Sequence, residues 1–159
     1  MVRAEPAASP GTYVLLMHLP APRRIRVGAL GVWRLRAGWY AYAGSAFGPG
    51  GVAARCRHHR GRGARPRWHV DYIRAVAALH EIWFTHDPLP REHLWATLLA
   101  ASRGAVAPVR GFGSSDCGCW THLLFSEKLF SFYGFSRRAR VCVADHARIW
   151  RQNLSYGEH

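Results

Sequence analysis

The run "WYAYAGSAFGPGGVAARCRHH", Trp39–His59, decides how the chain is read. It opens as a strand, because Trp39, Ala41 and Ala43 fall on one face while Tyr40 and Tyr42 fall on the other. The glycines and proline of "FGPGG" interrupt it. A helix is predicted beyond them, over about Val52–Arg60, until "GRGARP" stops it. Gly44, Gly48, Gly50 and Gly51 precede that helix, and the amides of a helix start attract phosphate. Yet the loop lacks the Lys-Ser/Thr ending of a phosphate-binding loop, and its glycines miss the G-x-G-x-x-G spacing. We therefore read it as a turn from strand to helix.

Elements on either side extend the pattern. "TYVLLMHL" (Thr12–Leu19) predicts a first strand, apolar enough to be central. "RRIRVGALGVWRL", from Arg23 to Leu35, alternates charge with apolar residues around "GALG" and predicts a hairpin. "RWHVDYIRAVAAL" (Arg67–Leu79) predicts a second helix, and "HEIWFTH" (His80–His86) a strand with His80, Ile82 and Phe84 on one face. After "DPLP", "REHLWATLLAAS" predicts a third helix with Leu94, Trp95, Leu98 and Ala101 as its apolar stripe. "RVCVADHARIW" (Arg140–Trp150) fits either a strand or a short helix. The expected fold class is α+β, a small, mostly antiparallel sheet flanked by helices. Residues 1–10 are expected to be a loose tail, 11–131 the domain proper, and 132–159 a C-terminal extension.

Charge narrows the partners. The 159 residues carry 22 Lys+Arg against 9 Asp+Glu, a net +13, with a pI near 11.0. Such a field attracts polyanions. Lys128 is the only lysine, and arginine forks onto phosphate oxygens and stacks on bases, which suits nucleic acid. Compositional bias explains arginine in place of lysine, but not the shortage of acids. No apolar run reaches membrane-spanning length, and "MVRAEPAASPG" lacks the apolar core of a secretory signal. The cytoplasm is the expected location, with no membrane as partner.

Arg55 and His59 lie four apart on the basic helix and project from one face. Tyr42 precedes that helix on its strand, and Tyr13 sits on the first strand. A hydroxyl, a guanidinium and an imidazole converging in this way suit a phosphate: arginine stabilises charge gathering at phosphorus. A phenol near cations or a metal is expected to have its pKa lowered enough to take a proton from water.

"GTY" (Gly11–Tyr13) and "YAG" (Tyr42–Gly44), followed by "VAARCRHH", resemble the GIY-YIG endonuclease superfamily. The stretches "WHVDY" and "GFGSSDCGCWTHL" bring the likeness closest to its Uri-type branch, over about Gly11–Phe125. Thr12 and Ala43 stand where isoleucines are usual, at buried strand positions expected to be harmless. The resemblance implies a divalent-metal-dependent DNA endonuclease. It implies Tyr13 and Tyr42 as paired tyrosines, Arg55 as the phosphate-stabilising arginine, and His59 as its partner. It also implies one glutamate holding Mg²⁺ or Mn²⁺. Glu92 at the start of the third helix is the first choice and Asp71 the next, although a first-turn acid equally complements a helix dipole.

Around this centre, Arg57, Arg62, Trp68 and His69 are expected to line the nucleic-acid surface, an aromatic among basic residues. Cys117, Cys119 and His122 form a Cys-x-Cys-x2-His cluster that zinc would need Cys56, His69 or Asp116 to complete. The cysteine spacing is tighter than zinc sites use, so a folded loop with reduced thiols is the preferred reading. Two readings compete with the nuclease: a nucleic-acid-binding module that keeps the fold without turnover, and an RNA-binding domain built on the "CGCWTH" cluster.

Overall fold

Strand β1 (Gly11–Leu19) is apolar on both faces, which requires cover on both sides and neighbours on both edges. The computed structural model, which describes residues 4–61, 65–109, 111–112 and 121–154, provides both. β1 lies at the centre of a five-stranded sheet, flanked by β4 (Gly38–Ala46) and β5 (Ala78–Thr85). β6 (Leu123–Ser126) adds to the outer edge of β4, and β7 (Ile149–Asn153) to the outer edge of β5. Every pairing is antiparallel. The hairpin of β2 (Arg23–Arg26) and β3 (Val32–Leu35) forms a separate two-stranded ribbon, turned by a short 3-10 helix at Gly28–Leu30. This is the α+β architecture expected from the sequence.

Side-chain alternation gives the sheet two buried faces. Tyr13, Leu15, Met17, Tyr40, Tyr42, Ile82 and Phe84 point to one. Helices α1 (Gly51–Arg60) and α2 (His69–Arg74) cover it with Val52, Cys56, Val70 and Ile73. Val14, Leu16, Ala41, Ala43 and Trp83 point to the other. There α3 (Glu92–Ala100) and α4 (Phe132–Cys142) contribute Trp95, Leu98, Leu99, Phe135 and Ala139. The buried residues of α3 are Trp95, Ala96, Leu98 and Leu99, so the expected stripe is displaced. Leu94 is only partly buried, and Ala101 is exposed at the helix end.

Three local expectations are revised and one open alternative is resolved. Helix α2 runs for six residues rather than to Leu79. Arg74 donates to the carbonyls of His59 (2.8 Å) and Ala77 (2.7 Å), closing the turn, and Ala78 already pairs with His18 in the sheet. The ambiguous run from Arg140 to Trp150 holds both the end of α4 and the start of β7. Residues 132–154, set apart in the sequence as an extension, complete the same sheet and its second face. Residues 7–9 of the expected loose tail are docked. Glycines at the start of α1 supply no side-chain cap, so the carbonyls of Ser9 and Ala7 accept from the Val52 and Ala53 amides, both at 3.0 Å. Main-chain acceptors here satisfy amides that every helix start leaves open.

Candidate active site

Cross-strand register puts Tyr13 opposite Gly44. That glycine is the last residue of "YAG", and the absence of a Cβ lets the Tyr13 ring lie across β4. An added Cβ would fall 2.5 Å from the tyrosine oxygen and 2.8 Å from Cε2. The ring is thereby aimed at α1, and its hydroxyl meets His59 Nε2 at 2.8 Å in a buried hydrogen bond. His59 follows Arg55 by one helical turn. The guanidinium of Arg55 stacks 4.1 Å over the Trp68 ring, and that of Arg67 lies 5.1 Å from it.

Behind His59 stands Asp71. Its Oδ1 lies 3.0 Å from His58 Nε2 and 3.7 Å from His59 Nδ1. Its Oδ2 accepts from the amides of Arg67 (2.8 Å) and Trp68 (3.1 Å), tying down the start of α2. The sequence offers only a weak signal for this arrangement, the doublet His58–His59, which by itself gives His58 no role. His69 and Asp71 diverge as expected of residues two apart: His69 instead faces the Phe112 ring at 5.5 Å.

Glu92, the first residue of α3, has its carboxylate 2.6 Å from His122 Nδ1, and the His93 ring lies 5.8 Å from His122. Its position is fixed from β1, because the buried Thr12 hydroxyl accepts from the Arg91 amide at 3.2 Å. Thr12 thus anchors the start of α3. One Glu92 oxygen faces His122 and the side chain keeps 20% exposure. A single reachable carboxylate suits a largely hydrated Mg²⁺, so the residues present fit that ion.

Charges in the cluster act on one another. Burial pushes the Tyr13 phenol well above its usual pKa, assisted by Tyr42 and opposed by Arg55, with Glu92 also raising it. Tyr42 is likewise raised by burial first and Glu92 second, against Arg55. The lowered phenol expected from the sequence is therefore corrected: desolvation outweighs the nearby guanidinium, and both tyrosines stay protonated at neutral pH. Burial lowers the pKa of His59 despite Asp71, keeping the ring neutral. Burial alone would raise the Asp71 carboxyl. The neighbouring His59 ring, the Arg67 and Trp68 amides and His58 instead hold it well below the usual range.

Tyr13 and Tyr42 are thus within electrostatic reach of Arg55 and Glu92, and His59 joins them through Tyr13 and Arg55. Trp68 is drawn in through Arg55. Arg57 is not: it is exposed on another side of α1, lining a cleft with Glu5, Pro6 and Arg60. Arg62, Cys117, Cys119 and Asp116 lie outside the described residues. Of the other ligands considered for zinc, Cys56 is sealed in the core, where burial pushes its thiol up to about 12. Glu81 is taken structurally, bonded by Trp83 Nε1 (2.8 Å) and by both Arg151 Nε (3.0 Å) and an Arg151 terminal nitrogen (2.6 Å).

The outer surface is basic beyond this cluster. Arg24, Arg26 and Arg34 are exposed on the β2–β3 ribbon, and Arg24 directly faces Arg34 across it. Between Glu5 and Asp71 the chain contains no acidic residue. Among the described residues, no helix is long and apolar enough to cross a membrane. A family model described as a domain of unknown function, DUF123, matches residues 12–140. No curated protein and no solved structure matches the chain.

Proposed function

The chain belongs to the DUF123 family, whose description assigns no chemistry, and from its own residues we propose that it is a divalent-metal-dependent DNA endonuclease hydrolysing phosphodiester bonds. One observation carries this reading: Tyr13 hydrogen-bonds a neutral, buried His59 beside Arg55, Tyr42 and the Glu92 carboxylate. Phosphodiester hydrolysis needs a route for the proton of water and positive charge where the phosphorane forms. A buried phenol does not ionise on its own. Tyr13 takes a proton from water as its own passes to His59 Nε2, and Asp71 lies behind the resulting imidazolium. Arg55, its plane fixed against Trp68, neutralises charge on the phosphate oxygens. Tyr42 sits in the same electrostatic environment and positions the group under attack. Glu92 would hold the Mg²⁺ or Mn²⁺, which when bound polarises the phosphate and activates water.

The enclosure of Tyr13 and Tyr42, only 2% and 6% exposed, favours a second reading, a DNA-binding module that keeps the fold without turnover. Cleavage of single-stranded, duplex, flapped and abasic DNA with Mg²⁺ or Mn²⁺ separates the two. Arg55→Ala should lower the rate about a hundredfold or more and leave helical content intact, since alanine is the better helix former. Glu92→Gln should abolish cleavage while DNA binding survives. Tight binding by the wild-type protein with no cleavage of any substrate would replace the nuclease by the binding module. Undiminished cleavage by Glu92→Gln would remove Glu92 as the metal ligand.

A further inference from the structure

The chemistry above uses the Nε2 side of His59. Three atoms on its other side are left together. His58, His59 and Asp71 each offer one ligand atom within 4.8 Å of the others', and Asp71 Oδ1 lies 3.0 Å from His58 Nε2 and 3.7 Å from His59 Nδ1. A tetrahedral zinc ion with ligands at about 2.0–2.1 Å places neighbouring donor atoms roughly 3.3 Å apart. The triad is close to that spacing without an ion.

Two further features point to a cation. His59 is fully enclosed, and its Nδ1 makes no hydrogen bond, although it is directed at a carboxylate. A buried ring nitrogen left in that condition is unfavourable unless something occupies the gap. Each donor is also held from behind, as metal ligands usually are. His59 Nε2 is bonded to the Tyr13 hydroxyl, Asp71 Oδ2 to two amides, and the His58 ring packs edge-on against Trp68 at 4.9 Å. Oδ1 is the oxygen that faces both histidines, while Oδ2 also lies 3.1 Å from His58 Nε2.

We propose that His58, His59 and Asp71 form a three-ligand site for a zinc-class divalent cation, separate from the carboxylate of Glu92. Two imidazoles and one carboxylate select zinc, cobalt or nickel over magnesium, which prefers oxygen donors and water. Three protein ligands leave a fourth position open. Solvent reaches it, since the His58 and Asp71 side chains are 18% and 10% exposed. Occupancy also fixes a tautomer. With Nδ1 metallated, Nε2 carries the proton and donates to Tyr13, so the loaded ring no longer accepts the phenol's proton. Zinc at this site therefore inhibits cleavage. That consequence alone rests on the nuclease reading; the site does not.

The test uses the full chain carrying Cys117→Ser and Cys119→Ser, stripped with chelator and titrated with Zn²⁺ and Co²⁺. One equivalent of either metal should bind, raise Tm and give visible cobalt bands of tetrahedral type. Asp71→Asn and the partly exposed His58→Ala should each weaken binding at least tenfold, with folding checked by circular dichroism. Absence of binding, or equal binding by both variants, overturns the proposal. So does a thiolate-to-cobalt charge-transfer band in the parent chain, together with loss of binding in the serine variant, since it would move the site to the cysteines. Calorimetry and spectra read the metal whether or not the protein cuts DNA, so failure here and failure of the nuclease reading are distinguishable.

Discussion

Gly44 shows how one missing side chain orders the site. Its place opposite Tyr13 lets an aromatic ring cross the strand and reach His59. Gly44→Ala would drive a methyl into a ring that is 2% exposed and hydrogen-bonded at its tip. The ring has no room to retreat without breaking the bond to His59. Overpacking of this kind costs about 1–3 kcal/mol. We expect a lowered urea midpoint together with at least a tenfold loss of cleavage. Values within twofold of wild type for both would mean that the glycine serves another purpose. The sequence singles out Tyr13, Tyr42, Arg55 and His59 as candidates by residue type and spacing on elements with clear periodicity, whereas Glu92 shares its candidacy there with Asp71. The pairing of Asp71 with His58, and of Glu92 with His122, is not legible there. Each depends on how two elements distant in sequence pack, and neither partner has a distinctive spacing.

Among elements, the β2–β3 ribbon is the one most at odds with its own stability. Arg24 faces Arg34 directly, and like charges in that position repel. Ile25 and Trp33 turn the other way and pack on the core, which holds the arginines outward. Phosphates laid along this face would relieve the repulsion. Replacing Arg24, Arg26 and Arg34 together by Ala should therefore weaken DNA binding without lowering Tm. The slope of log affinity against log salt should become shallower by about 0.9 for each duplex phosphate that the ribbon no longer neutralises. Fluorescence anisotropy over a salt series reads both effects, and an unchanged slope would assign the DNA elsewhere. The ribbon, β1, β4, α1 and α3 are visible in the sequence because alternation, helical periodicity and turn residues agree there. The sequence overextends α2 because "AVAAL" suits a helix as well as a strand, and only the free edge of β1 decides it. The docking of residues 7–9 is hidden because it uses main-chain carbonyls, which carry no sequence signature.

At the scale of the whole molecule, a net charge of +13 is held together by a few acids turned inward. Glu81 locks β7 to β5 through Arg151. Asp71 joins α1 to α2, and Glu92 meets His122 ahead of β6. Asp87 has the widest reach. It accepts from the amides of Leu89 and Ala147, both at 3.0 Å, and from Arg91 Nε at 3.1 Å. One buried carboxylate thereby ties the end of β5 to the approach to α3 and to the segment entering β7. Burial alone would raise its pKa, but bonds from Ala147, Leu89 and Arg91 pull it below the usual value. A carboxyl depressed on folding contributes stability in full above its unfolded pKa of about 3.9. That contribution is lost as pH falls through the lower folded value. Protonation removes the clasp while the surface charge that repels itself remains. Asp87→Asn should cost about 1–3 kcal/mol at pH 7, from weakened hydrogen bonds to a buried group. The gap between wild type and variant should narrow steadily below about pH 4, because wild type then loses what the variant already lacks. Urea unfolding of both proteins from about pH 7 down to about pH 2.5 measures this difference. A gap that stays constant down to the lowest pH would show that the ionised carboxylate of Asp87 is not what holds the C-terminal strand to the sheet.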